Sequence, residues 1–477
     1  MIAARCVVRD PNIRVPETDL RRDQIARLKQ APLDVLVIGG GINGAGVLRD
    51  LALRAEHTAS ALRVGLIEKA HFASGTSGKN SHLIHGGLRY LKYFQFHLVR
   101  ESLRERSILL KVAPQFVQPL QFLLPMYGLK SRMVYGTGLA MYDLLAGSHA
   151  IARHRIIPVS QVARIEPGLT RAGLTSAALF YDGAVHSARF VVENVLDAIA
   201  HGAFAANYVR AVTWDRGTAG NWFVECQDML DGGRFELEAR KLVDARGAWM
   251  DGGALRLVRG SHIVIPRIGS AEHAIAHFET NGRIVFLIPW GDQKQLTLVG
   301  TTDEDHDGSP DQVQISSAER EYLLGVVRKL FSGHGDLEPI STFSSLRPLV
   351  RNEGSATRVS RDHKIWNSPD NVLHIAGGKY TTYRLMSEEA ADTICREIAP
   401  QVATVHRTAT TAFPHVERDA GDAMEQHLSD YMFVSTYLGY ERRWDAESLM
   451  PCARALGAKR CWDERRVRAE VDELIGR

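Results

Sequence analysis

Residues 34–55 read DVLVIGGGINGAGVLRDLALRA. The run from Val35 to Ile38 is continuously apolar, as in a strand buried on both faces of a parallel sheet, and helical spacing takes over from Gly44 to about Ala55. Between them Gly39, Gly41 and Gly44 satisfy Gly-x-Gly-x-x-Gly, with Asn43 just ahead of the last. The first glycine serves a tight turn, the second lets a pyrophosphate approach the backbone, and the third lets the helix pack closely on the strand. A helix N-terminus here offers N–H groups and a partial positive charge to phosphates.

Working outward, LRVGLIEKA at 62–70 is a second apolar run that ends in Glu68, an acid suited to accept hydrogen bonds from a ribose diol. The interval from Gly41 to Glu68 exceeds the usual spacing of about 20 residues, and the excess around EHTASAL reads as a surface insertion after the helix. Strand, glycine turn, helix, strand and acid together predict dinucleotide binding. They do not distinguish FAD from NAD. Two further segments bear on that choice: ASGTSGKNS at 73–81, with Thr76, Ser77 and Ser81, and GGKYTTYR at 377–384, with Gly378, Lys379 and Thr381. A flavin ring needs such extra glycines and hydroxyls, whereas an NAD-only enzyme leaves the second segment without a role.

Elsewhere the pattern gives one short polar helix in the first thirty residues, closed by Pro32, a helix around 95–112 and another at 188–202. Residues 208–243 alternate as antiparallel strands do, and short strands recur at SHIVIP, RIVFLIP and QLTLVGTTD. NVLHIAGG at 371–378 is a final strand leading into a helix near Thr381. The expected class is α/β: a Rossmann-like FAD-binding domain interleaved with a mainly antiparallel-sheet substrate domain, plus a small helical C-terminal region. Residues 1–30 are drawn as an arm, 31–110, 165–255 and 340–400 as the nucleotide domain, 111–164 and 256–339 as the substrate or cap domain, and 405–477 as the C-terminal domain.

With 58 Lys and Arg against 55 Asp and Glu in 477 residues, no global basic field suggests nucleic acid as a partner. The five cysteines form no Cys-x-x-Cys pair, which fits a reducing compartment and argues against a metal site. The absence of a long apolar run predicts a cytoplasmic chain, or one held at most on a membrane surface. LKYFQFHLVRESLRERSILLK at 91–111 fits either a surface helix or a core-facing one.

IHGGLRY at 84–90 places His85, Gly86, Gly87, Arg89 and Tyr90 in one short span. Arg89 offers a planar fork of charge-assisted donors to an anionic substrate, with a surface ion pair as its competing reading. Taken in order, DVLVIGGGINGAG, LIHGGLRYL, GSHIVIP, VFLIPW, GTTD, LRPL and GGKYTTYR resemble the FAD-dependent glycerol-3-phosphate dehydrogenases of the D-amino-acid-oxidase-like flavoprotein superfamily, over roughly residues 20–400. The resemblance implies FAD as cofactor and oxidation of sn-glycerol 3-phosphate to dihydroxyacetone phosphate by hydride transfer to flavin N5. Electrons would then pass to quinone or another acceptor, with the protein peripheral on the inner face of the cell membrane and a homodimer admitted.

By the same resemblance, Arg89, Tyr90, Arg361 and Thr382 fall to the substrate, and His262, Arg347 and Lys379 to catalysis. Gly39, Gly41, Asn43, Gly44, Glu68, Thr76, Ser77, Ser81, His85, Gly86, Gly87, Gly247, Gly378, Lys379 and Thr381 fall to the cofactor. Oxidising a secondary alcohol requires a base for the hydroxyl proton, and a neutral imidazole at His262 fits; a hydrogen-bonded core histidine is its alternative.

Several positions depart from the family pattern. Gly78, Asn80 and His82 stand where serines and a lysine are usual, His186 and Ser187 replace paired acids, and Asp244, Arg246 and Ala248 interrupt an Asn-Ala-Thr-Gly-Pro-Trp run whose Gly247 and Trp249 remain. The C-terminal region is shorter than usual. These changes leave open a same-fold flavin oxidase or dehydrogenase acting on another alcohol or amine, phosphorylated or not. A flavin-binding regulatory protein without catalysis is a third reading, against which the basic and imidazole set argues.

Overall fold

The structure, a computed structural model, describes residues 20–58, 62–250, 253, 255–279, 282–333, 337–350, 363–416 and 418–476. Its first sheet carries five parallel strands in the spatial order Leu373–Gly377, Arg234–Asp244, Leu33–Ile38, Val64–Ile67 and Phe204–Ala206. The central strand is apolar from Val35 to Ile38 because both of its faces are covered: Val35 and Val37 share a core with the helix Ile42–His57, which packs against Ser187–Ala200 and Tyr383–Ile398, and Leu36 and Ile38 share another with Val209, Trp222 and Val224. The alternating stretch forms an antiparallel meander of Val209–Arg216, Trp222–Asp228 and the first half of Arg234–Asp244. The second half of that long strand belongs to the parallel set. The short polar helix, Leu20–Lys29, is tied down by Arg21, which donates to the Asn207 carbonyl and pairs with Asp228 at 2.7 Å.

The second sheet is mostly antiparallel. It pairs Leu255–Pro266 with Leu296–Gly300 and Ser341–Val350, and runs through Ile284–Trp290, Ala274–Phe278 and Val117–Tyr127 to Leu174–Val185 and Leu83–Ile84. Here the predicted boundaries need correcting. Residues 174–185 and 341–350 were assigned to the nucleotide domain, yet both are hydrogen-bonded into the second sheet. An apolar run reports that a strand is buried, not which sheet it joins.

The helix Phe96–Val112 turns Leu98, Val99, Leu103 and Leu109 inward, so its apolar face is core-facing. Among the described residues no helix is long and apolar enough to cross a membrane. Near the C-terminus Leu428, Met432, Leu449, Leu456 and Val471 form a small core of their own, while Val434, Tyr437 and Tyr440 leave it and join the main core.

Candidate active site

The parallel strands all end at one place. Ile38, Ile67, Ala245 and Gly377, at or just past the carboxyl ends of four of them, line a cavity of about 840 Å³ that continues between the two sheets. Ligands in open α/β sheets bind at this end of the strands.

The glycine turn is built as its spacing predicts. Gly39 has φ 115°, and a Cβ there would lie 2.6 Å from the Ala245 carbonyl oxygen. A Cβ on Gly44 would overlap the Gly39 carbonyl oxygen, so this glycine exists for helix–strand contact and does not itself line the cavity. Gly41 and Asn43 do line it. The N–H of Ile42, at the start of the helix, donates to Ser77 Oγ at 2.9 Å, joining the 73–81 loop to the turn. Glu68 accepts from the N–H of Gly40 at 2.6 Å and of Ala70 at 2.9 Å, while burial pushes its carboxyl above the usual range. Thr76 donates to the Leu346 carbonyl, which ties that loop to the second sheet.

Across the cavity, side chains converge from separate segments. His262 is 1 % exposed, with Nε2 2.9 Å from Ser81 Oγ and its ring stacked on Phe343 at 4.9 Å. It lies across Gly300 on the neighbouring strand, where a Cβ would strike the imidazole. Burial, aided by the Arg347 charge, lowers its pKa to about 3, so the ring is neutral at physiological pH.

Arg347 lies flat over Gly260. It donates to Asp303 Oδ1 at 2.8 Å, to the Thr302 carbonyl at 3.0 Å and to Thr301 Oγ1 at 2.8 Å. Arg89 approaches the other oxygen of Asp303 at 3.7 Å. Lys379 Nζ lies 4.3 Å from the centroid of the Tyr90 ring and donates to Ser102 Oγ at 3.0 Å. Three cations and one buried carboxylate thus share one region, the charge balance an anionic substrate requires.

The cavity is lined by Gly39, Gly41, Asn43, Glu68, Thr76, Ser77, Ser81, His85, Gly87, Arg89, Tyr90, Gly247, His262, Arg347, Gly378 and Lys379, all singled out from sequence. Three other expectations change. Thr382 is 2 % exposed, its hydroxyl on the Lys379 carbonyl, and it caps the backbone without reaching the cavity. Gly86 faces Tyr142 and donates its N–H to Asp182 Oδ1 at 3.0 Å. Thr381 acts at one remove, accepting from the His85 N–H and donating to the His85 carbonyl. Arg361 lies outside the described residues.

Three contributors were missed. Asp303 orders two arginines from within the GTTD stretch, whose residues had been left without roles. Asp182 accepts from Gly86, Arg106 and Tyr142 and so fixes the IHGG turn; nothing near it in sequence signals this. Arg246, noted only as a departure, lines the cavity, pairs with Asp244 at 2.9 Å and lies over Trp214 at 4.8 Å.

The pattern that defines the FAD-dependent oxidoreductase (DAO) family matches residues 34–393. The chain belongs to that family: it is an oxidoreductase whose cofactor is FAD, and the glycine cradle and long cavity suit that dinucleotide. It is 34 % identical to the glycerol-3-phosphate dehydrogenase of Synechocystis, over 91 % of this chain and 83 % of that one. It is 36 % identical to the aerobic glycerol-3-phosphate dehydrogenase of Escherichia coli, over 75 % and 72 %. In fold it is similar to the FAD complex of the Bacillus halodurans glycerol-3-phosphate dehydrogenase, with a TM-score of 0.73 at 22 % identity, covering 96 % of this chain and 97 % of that one.

Proposed function

We propose that this protein oxidises sn-glycerol 3-phosphate to dihydroxyacetone phosphate. The observation that carries the reading is one cavity holding the dinucleotide cradle at one end and His262, Arg89, Arg347 and Lys379 at the other. FAD, when bound, supplies the acceptor for the two electrons that leave C2. The remaining work falls to the chain. Arg89 and Arg347 bind the phosphate with charge-assisted hydrogen bonds, and the carboxylate of Asp303 keeps the two guanidinia from drifting apart. Tyr90 packs beneath Lys379, whose ammonium holds a substrate oxygen. His262, neutral and buried, takes the C2 hydroxyl proton at Nε2, where Ser81 now sits.

The electrons then pass to quinone or another acceptor, and the protein works on the cytoplasmic side, peripheral to the inner face of the cell membrane. The names of its relatives support the substrate; the acceptor and location follow the resemblance alone.

Anaerobic mixing of the purified yellow protein with sn-glycerol 3-phosphate tests the reaction, with glycerol and the opposite enantiomer as controls. Bleaching of the flavin absorbance by the phosphate ester of one hand only is the expected result. A protein that stays oxidised with this ester, or is bleached equally by glycerol, would overturn the substrate assignment and leave the fold untouched.

A further inference from the structure

Four of the positions that depart from the family pattern, Asn80, His82, His186 and Ser187, lie together. Asn80, His82 and Ser187 form one hydrogen-bonded set: Asn80 Nδ2 donates to Ser187 Oγ at 3.2 Å, Asn80 Oδ1 accepts from the His82 N–H, and His82 Nδ1 meets Ser187 Oγ at 2.7 Å. His186, the fourth of these, stacks on the ring of Tyr437 with centroids 3.8 Å apart and planes 6° from parallel. Tyr437 comes from the C-terminal region. Its hydroxyl accepts from the Ala188 N–H at 2.8 Å and lies 3.0 Å from His82 Nδ1 and 3.1 Å from Ser187 Oγ.

Two further observations point the set toward the cavity. His82 and Tyr437 both have left-handed backbones, with φ 53° and 66°, conformations that non-glycine residues hold only where their surroundings over-determine them. His82 also follows directly on Ser81, whose hydroxyl meets His262 Nε2, and His82 and His262 share the Phe343 ring as neighbour.

We infer that Tyr437 is a positioning residue: through its hydroxyl it fixes His82, hence the backbone at Ser81, hence the tautomer and aim of the His262 imidazole. The C-terminal region thereby completes the active site from behind. This rests on the assignment of His262 as the base. His186, with the charge of Arg189 acting on it, Ser187, Trp290, Tyr380 and Tyr440 surround Tyr437, while the charge of Arg347, paired with Asp303, and the ring of His82 face His262. The proton affinity of His262 is set by how tightly Ser81 and the dry aromatic wall hold the ring.

The test compares Tyr437→Phe with Tyr440→Phe in the FAD-loaded protein. The first keeps the stack on His186 and removes only the hydroxyl; the second removes a buried hydroxyl next to Phe343 but outside this network. Flavin reduction by sn-glycerol 3-phosphate is followed by stopped flow from pH 3.5 to 9, so that the acid limb set by His262 enters the range, with thermal unfolding at each pH as the control for folding. Tyr437→Phe should slow reduction at saturating substrate about tenfold, leave KM within twofold, and displace the pH profile toward higher pH by half a unit or more as water reaches the imidazole. Tyr440→Phe should give the wild-type profile. A Tyr437→Phe profile that superimposes on wild type, with or without a lower Tm, overturns the inference, as does an equal displacement in both variants. A wild-type flavin that the substrate does not bleach at any pH instead overturns the substrate assignment on which the base, and with it this inference, rests.

Discussion

The two ends of the cavity are made in different ways. At the nucleotide end the contacts are backbone contacts, set by the short stretch from Leu33 to Gly44 and by one acid, Glu68. At the other end His262, Arg347, Arg89 and Lys379 arrive on two strands, a 3-10 helix and a turn that are far apart in sequence, and Asp303 comes from yet another loop. The first end is specified by where side chains are missing, the second by where they meet. A substitution at the first should therefore act on fold and cofactor together, and one at the second on chemistry with the cofactor retained.

The largest effect should break the first end. In Gly44→Val the new side chain meets the Gly39 carbonyl, which is backbone and cannot swing away. Overpacking of a dense site costs about 1–3 kcal/mol even where neighbours can shift, and here the helix must lift off its strand. The expected outcome is a colourless, largely insoluble protein, measured by flavin absorbance per chain; a yellow protein of normal Tm would show that the helix tolerates the displacement.

At the other end His262→Ala should keep its yellow colour and lose the chemistry. General bases contribute roughly 10²- to 10⁴-fold, and flavin reduction in single turnover should fall within that range while FAD content stays at the wild-type level. A loss below tenfold would make His262 a core histidine and move the proton to another group.

Acid should test what holds this wall together. His262 and His186 have pKa values lowered to about 3 by burial, against about 6.5 in the unfolded chain. Between these values the unfolded state binds more protons, so stability rises with pH and is lost as pH falls from about 6.5 toward 3. At pH 5 the two together cost about 4 kcal/mol at most, at 1.36 kcal/mol per unit for each. Burial lowers the pKa of His82 as well, so it adds to the same drop; thermal unfolding at pH 5 and 7 should show the drop, and His186→Gln should reduce it in part. An unchanged difference would mean that other groups govern acid stability.

This asymmetry also decides what could be read in advance. The parallel core and its glycine turn were legible because strand, turn and helix are contiguous, and each glycine answers to a local steric demand. Sheet membership was not: the apolar run inside Leu174–Val185 would suit a strand of either sheet. At the catalytic wall, residue types were identifiable from motif resemblance, yet Asp182 and Asp303 went unnoticed because their partners lie 76 and 44 residues away, at Arg106 and Arg347. Thr382 failed for the opposite reason. It sits inside a motif that turns along the cavity, and a hydroxyl beside Lys379 reads as a ligand until the 3-10 turn directs it to its own backbone.

The smallest effect concerns a strap between the two ends. Lys69, following the strand that carries Glu68, pairs with Asp311 from the second-sheet side at 2.8 Å. Trp249 Nε1 donates to the same carboxylate oxygen at 2.8 Å, with the ammonium 4.4 Å from the indole. All three line the cavity, as do Glu68 and the glycine turn. The pair is exposed, at 37 % and 62 %, and an exposed ion pair contributes only about 0–1 kcal/mol. Asp311→Asn keeps an acceptor for the indole and removes the charge. FAD release, followed by the recovery of flavin fluorescence, should therefore quicken less than about fivefold at low salt, and the variant and wild type should converge near 1 M salt, where screening is complete within about 3 Å. A tenfold or salt-independent change would mean that the carboxylate holds the two ends in register and that closure over the cofactor depends on the second sheet as much as on the glycine turn.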